Sequence, residues 1–296
     1  MAAVEIVEVG PRDGLQNESV PVSVSDRVDL IRRLGQVGVK SVEVGAFVRT
    51  DRVPQMAGSD EVFAGTAGMG FDQRICLVPN SRGLESARRA GVQDVAVFVA
   101  TSETFNLKNS NCSVDDGLDL AAAVIRESKQ EGRTVRGYVS TIAGCPYEGS
   151  IDIAQVVRVA ERLHSMGCDE ISLGDTIGVG RPAQISSIID AVSGVVPTNR
   201  LAFHGHDTYG MGVANALAAI ERGVRRIDAS VGGLGGCPFG GPRAKGNLAT
   251  EDLVYALGED AFAHPFSLSG LIDTAWWLSE KVGHEPRSAV ARAGRT

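Results

Sequence analysis

The chain has 296 residues, 43% hydrophobic and 22% charged, with a formal net charge of −7 at pH 7. That composition excludes a disordered chain and supplies a large core, while the acidic balance disfavours nucleic acid as the main partner. No apolar run reaches membrane-spanning length, and the five cysteines (Cys76, Cys112, Cys145, Cys168 and Cys237) form no CxxC pair, which argues against a membrane span, a disulfide framework or a thiolate metal site.

The sequence enters an apolar run almost at once, without a basic leader, so a cytoplasmic protein with reduced thiols is expected. The run 4–9, VEIVEV, reads as a first strand. An amphipathic helix is expected over 25–37 and a second strand over 40–45, KSVEVG. A weaker helical pattern at 53–64 precedes strand 73–78, QRICLV, which is followed by helix 81–90 and strand 93–99, QDVAVFV. Helix 115–131 leads to strand 134–140, TVRGYVS, and helix 151–166 to strand 168–173, CDEISL. Helix 181–194 leads to strand 200–204, RLAFH, and helix 210–222 to strand 225–229, RRIDA, with helix 251–257 beyond. Several helices end in a glycine followed by a strand, as in RLGQVGVKSVEV and ARRAGVQDVAVFV, where glycine suits a left-handed cap.

Eight strand–helix units with short joints predict a parallel sheet closed into a (β/α)8 TIM barrel. One domain is expected over 1–296, with the barrel over about 1–262 and a helical extension over about 263–296. An open doubly wound sheet would want a G-x-G-x-x-G turn after its first strand, and the turn here reads GPRDGLQNE. Trp276 and Trp277, near the centre of the extension, are expected to pack it across the barrel's outside or into a dimer rather than to bind a ligand.

Barrel chemistry sits at the C-terminal ends of the strands. Arg12 and Asp13 follow strand 1, Glu43 lies in strand 2, Asp175 follows strand 6, and His204 and His206 end strand 7. In an extended strand residues two apart share a face, so the two imidazoles of FHGHD converge. A His–His–Asp set suits zinc, but adding Asp13 and the carbonyl of Asn247 favours a hard Mg²⁺ or Mn²⁺ ion. Glu43, and with it Glu8, is read as a buried carboxylate that holds Arg12 in place. The stretch 232–247, GGLGGCPFGGPRAKGN, lacks the lysine–hydroxyl ending of a phosphate-binding loop and follows strand 8. Its glycines would allow it to close as a lid, with Asn247 at the cation.

Seven segments together point to a family: VEVGPRDGLQNE (7–18), VPQM (53–56), RGYVS (136–140), GCPYEG (144–149), EISLGDTIGVG (170–180), HGHDTYGMGVAN (204–215) and GLGGCPF…GNLATEDLVY (233–255). They resemble the 3-hydroxy-3-methylglutaryl-CoA lyases, barrel metallolyases named for an Asp, Arg and Glu set that matches Asp13, Arg12 and Glu43. The resemblance implies retro-Claisen cleavage of 3-hydroxy-3-methylglutaryl-CoA to acetyl-CoA and acetoacetate. It implies a divalent cation on Asp13, His204, His206 and Asn247. Arg12 would stabilise the enolate, His204 would help move the hydroxyl proton, and Asp175 would orient Arg12 or a histidine. Cys237 matches a loop cysteine implicated in proton transfer at the departing carbon. A homo-oligomer, with a dimer as one form, is the family expectation.

Two departures bear on the acyl chain. The interval from Cys237 to Asn247 is one residue longer than the family pattern, and Ala46 stands where the family usually has serine. A lyase for a longer branched 3-hydroxyacyl-CoA, and a Claisen-condensing acyltransferase, are the alternatives. Arg243 and Lys245 suit CoA phosphates, a substrate carboxylate or plain solvation. A non-enzymatic scaffold would show a decayed site, yet every ligand type is present.

Overall fold

Strands β1 (Glu5–Glu8), β2 (Ser41–Ala46), β3 (Gln73–Leu77), β4 (Asp94–Ala100), β5 (Thr134–Ser140), β6 (Glu170–Gly174), β7 (Leu201–His204) and β8 (Arg226–Ala229) hydrogen-bond in chain order. β8 returns to pair with β1, Glu5 opposite Arg226, so an all-parallel barrel closes. The computed structural model describes residues 3–236 and 246–295. All eight expected strands are present, with ends moved by at most two residues. β2 is buried along its whole length, as a strand must be when side chains fill one face and helices cover the other.

The surrounding helices are α1 (Val24–Gln36), α2 (Ser59–Gly65), α3 (Ser81–Ala90), α4 (Glu103–Ser110), α5 (Val114–Gln130), α6 (Ile153–Ser165), α7 (Pro182–Val192), α8 (Gly212–Glu221), α9 (Thr250–Leu257), α10 (Leu268–Val282) and α11 (Ala289–Ala293). In α1, Ser23 caps the first turn by accepting the Asp26 N–H at 3.1 Å, and Leu30, Ile31 and Leu34 are fully buried. Each such side chain stabilises the packing by roughly 1.5–3 kcal/mol. The cap glycines behave as expected: Gly38, Gly91, Gly167 and Gly223 have φ of 110°, 80°, 112° and 93°.

The weak pattern at 53–64 resolves into a 3-10 turn, Pro54–Met56, followed by α2. Two helices, α4 and α11, were not expected. The sequence of α4, ETFNLKNS, lacks an apolar stripe, and hydrogen bonds hold it instead. Ser102 accepts the Phe105 N–H at 3.0 Å, and Asn106 Nδ2 donates to Ser113 O at 2.6 Å.

The extension does more than cover the barrel's outside. α10 packs against α1, α9, α11 and a 3-10 turn, Val231–Gly233, that follows β8. Trp277 lies 4.6 Å from the Arg33 guanidinium, and Trp276 Nε1 donates to Ala291 O at 2.8 Å. Both tryptophans therefore serve packing. Among the described residues no helix is long and apolar enough to cross a membrane.

Candidate active site

β1 runs into a single π turn, Gly10–Gly14, that carries Arg12 and Asp13 over the C-terminal mouth of the barrel. A Cβ on Gly10 would stand 2.6 Å from Glu8 Oε1, so the tight turn requires glycine. Arg12 is buried, with Nη1 at 2.7 Å from Asp13 Oδ1 and Nη2 at 2.7 Å from Glu43 Oε2. Burial opposes the charge on Arg12, but the two carboxylates outweigh it and keep the guanidinium protonated. Burial pushes the Glu43 carboxyl upward, and Arg12 pulls it back. Glu43 therefore holds Arg12, as the sequence suggests.

Glu8 does not. Its Oε1 accepts the N–H groups of Gly10 at 2.9 Å and Val231 at 3.0 Å, and its Oε2 accepts the Thr250 hydroxyl at 2.6 Å. It ties the β1 turn to the loop after β8. The intervening π turn carries Arg12 away from β1, so proximity in sequence is lost in space.

His204 ends β7, and His206 lies just beyond, with ring centroids 5.1 Å apart. One carboxylate oxygen and one nitrogen from each of Asp13, His204 and His206 lie within 4.8 Å of one another. His204 Nδ1 sits 3.1 Å from Asp228 Oδ2, which leaves Nε2 facing Asp13 Oδ2 at 3.9 Å. His206 Nδ1 lies 3.1 Å from the backbone carbonyl of Asp175, a pure acceptor, so Nδ1 carries the proton and Nε2 a lone pair. Burial and the neighbouring His204 push His206 down to about 4, which keeps it neutral. Burial also opposes the charge on Asp13, but Arg12, His204 and His206 prevail and hold it at about 2.

Asn247 pairs with His206 in an isolated bridge. Its Nδ2 donates to Asp13 Oδ2 at 2.9 Å and to Leu234 O at 3.0 Å. Both partners are acceptors, so the amide cannot be turned the other way, and the buried Oδ1 is left without a partner among the described residues. A carboxylate, two imidazole lone pairs and an orphaned amide carbonyl fit a divalent cation.

Asp175 is fully buried, but its carboxylate is used on the N–H groups of Val179 at 3.1 Å and Gly180 at 2.9 Å. Burial raises it to about 6 against those bonds. Its expected orienting role falls to its backbone carbonyl, on His206, and its side chain touches neither Arg12 nor a histidine. Cys237, Arg243 and Lys245 lie outside the described residues.

The sequence missed a buried network beneath the histidines. Asp228 Oδ1 takes Arg136 Nη2 at 2.6 Å, and its Oδ2 takes the Ser172 hydroxyl at 3.0 Å besides His204. Arg136 in turn pairs with Glu170 at 2.8 Å. Burial opposes the charge on Asp228, but Arg136 and His204 hold its carboxyl below the ordinary range. Tyr138 lies between Arg12 and Arg136, its ring 5.7 and 5.0 Å from their guanidinium carbons. The sequence signal was a charge inside an apolar strand, as in RRIDA and TVRGYVS.

Fold and site together define a (β/α)8-barrel enzyme with a cation-competent cluster at the C-terminal mouth. Residues 3–277 match the HMGL-like family. The chain is 45% identical over 298 residues to a hydroxymethylglutaryl-CoA lyase of Pseudomonas mevalonii, covering 100% of this chain and 99% of that one. It is 45% identical over 290 residues to a 3-hydroxy-3-isohexenylglutaryl-CoA/hydroxy-methylglutaryl-CoA lyase of Pseudomonas aeruginosa, covering 98% and 96%. A solved HMG-CoA lyase of Acinetobacter baumannii, in complex with coenzyme A and 3-methylmalate, superposes with a TM-score of 0.93 at 35% identity, covering 99% and 96%. The chain belongs to the HMGL-like family and is a carbon–carbon lyase.

Proposed function

We propose that the chain cleaves 3-hydroxy-3-methylglutaryl-CoA to acetyl-CoA and acetoacetate with a divalent cation, Mg²⁺ or Mn²⁺, held by Asp13, His204, His206 and Asn247. The observation that carries the reading is the convergence of three ligand atoms within 4.8 Å beside the Arg12–Glu43 ion pair. When bound, the cation supplies Lewis acidity toward the substrate hydroxyl and fixes the acyl group.

The protein's own residues do the remainder. The tertiary hydroxyl loses its proton, the C2–C3 bond breaks, and the electron pair moves onto C2 and the thioester oxygen. Arg12, a fixed charge between Glu43 and Asp13, stabilises the enolate where its charge develops. His204 takes the hydroxyl proton. Asp228 keeps hold of Nδ1, so Nε2 is the nitrogen that faces the site and that would hold the cation or receive the proton. Cys237 is assigned the return of a proton to C2 on its sequence match alone.

The acyl chain is the finer question. Ala46 is buried at the end of β2, where a serine is usual in the family, and the Pseudomonas aeruginosa relative is named for an isohexenylglutaryl substrate as well. A panel of 3-hydroxyacyl-CoA esters of increasing branch length, each with Mg²⁺ or Mn²⁺, tests both points by acetyl-CoA release. The expected result is fastest release from the methyl-branched ester. Release from no member by metal-loaded protein would sink the lyase reading.

A further inference from the structure

The described part of the glycine-rich stretch is held by Asn17, whose Nδ2 donates to Gly236 O at 2.6 Å, by Glu251 on the Gly232 N–H and, from the C-terminal extension, by Arg287. Arg287 lies in the segment after α10, and its backbone N–H donates to Gly232 O at 2.8 Å. Its Nη1 donates to Gly235 O. The same Nη1 stands 2.9 Å from the point a Cβ on Gly246 would occupy. One guanidinium therefore touches the chain where it leaves the barrel and where it returns. Among the described residues no carboxylate pairs with it. Its Nη1 and its backbone N–H both donate to backbone carbonyls of the stretch.

Between those two points lies Leu234, whose carbonyl accepts the backbone N–H of Asn247 at 3.2 Å and its Nδ2 at 3.0 Å. The packing is close: Gly235 has φ of 100°, and a Cβ there would stand 2.6 Å from Asn247 Nδ2. On its other side the returning segment is fixed, because Gly246 O accepts the Asp207 N–H at 3.0 Å and Leu248 N–H donates to Gly205 O at 2.9 Å. The Leu234 side depends on what holds Gly232 and Gly235. Glu251 takes the Gly232 N–H at 2.8 Å, Arg287 donates to the Gly232 and Gly235 carbonyls, and Asn17 donates to the Gly236 carbonyl just beyond.

We infer that Arg287 is a positioning residue for the lyase reaction: it closes the two ends of the glycine-rich stretch on each other, keeps Leu234 O against the Asn247 amide, and so aims Asn247 Oδ1 at the cation. The inference rests on the cation reading proposed above. Arg287 belongs to the C-terminal extension, so that extension completes the site rather than merely covering the barrel.

The test compares purified wild type with Arg287→Ala and Arg287→Lys, reading Mn²⁺ affinity from the free-ion resonance signal, together with kcat and KM. Arg287 is exposed and its backbone bond to Gly232 survives truncation, so the thermal midpoint is expected to hold. Mn²⁺ affinity and kcat are each expected to fall about tenfold in Arg287→Ala, the lower end for residues that orient a ligand, with KM within about twofold. Arg287→Lys, which keeps a donor, restores most of the loss. In an Asn247→Ala background Arg287→Ala adds no further loss of affinity, because the two act through one ligand. Unchanged affinity in Arg287→Ala, or a fully additive loss in the double variant, overturns the inference. Failure of the functional reading has a separate signature: a wild type that binds Mn²⁺ and releases no acetyl-CoA. A wild type that binds no Mn²⁺ overturns both.

Discussion

His204 has two nitrogens with different employment, and that division sets the chemistry of the site. Nδ1 meets Asp228 at 3.1 Å, and Nε2 faces Asp13. Replacing Asp228 by Asn keeps the shape but removes the charge that fixes the ring. The Asp228→Asn variant is expected to lose about 10- to 100-fold in Mn²⁺ affinity, the range for a carboxylate behind a ligating histidine. Titration with Mn²⁺ measures this, and an unchanged affinity would show that the ring needs no such support. Asp228 showed in the sequence only as a charge inside an apolar strand; its pairing with His204 follows from the β7–β8 register, and strand register is not written in a single chain. The His204–His206 pair was legible because two-residue alternation lies within one strand. Glu8 was misread because it sits in an apolar strand like Glu43, and only the turn after β1 separates their roles.

At the scale of elements, the stem after β8 is held by two buried carboxyls. Glu8 and Glu251 are both fully buried and spend their oxygens largely on backbone N–H groups. Burial is the main cause that raises Glu8 to about 7 and Glu251 to about 8, from ordinary values of 4.5. A carboxyl raised in the folded state contributes stability that is complete below the unfolded value and is lost as pH rises through the folded one. The thermal midpoint should therefore fall between pH 5 and pH 8. Glu251→Gln keeps an acceptor for Gly232 and removes one titration, so its midpoint should fall less steeply across that window. Parallel slopes for the two proteins, measured by calorimetry, would contradict the assignment. The cap glycines announced the ends of α1, α3, α6 and α8. α4 went unread because it has no apolar stripe: the Ser102 cap and the Asn106 amide on Ser113 O hold it.

For the molecule as a whole, the barrel was legible because one phrase, helix then glycine then strand, repeats along the chain, and each repetition carries the same physical constraint. The extension was legible as a helix but not in its placement. The contacts that decide it, Arg287 on Gly232 and Gly235 and the His284–Glu18 pair at 2.9 Å, join residues far apart in sequence. These ties bring the C-terminal segment onto the loops after β1 and β8, the same loops that carry Arg12, Asp13 and Asn247. The central claim is that this assembled mouth is a cation-dependent carbon–carbon lyase site. The direct measurement is product release from 3-hydroxy-3-methylglutaryl-CoA by metal-stripped protein before and after addition of Mg²⁺ or Mn²⁺. The account predicts negligible turnover before addition, and acetyl-CoA and acetoacetate in equal amounts after it. Equal rates with and without the cation, or acetyl-CoA without acetoacetate, would contradict it.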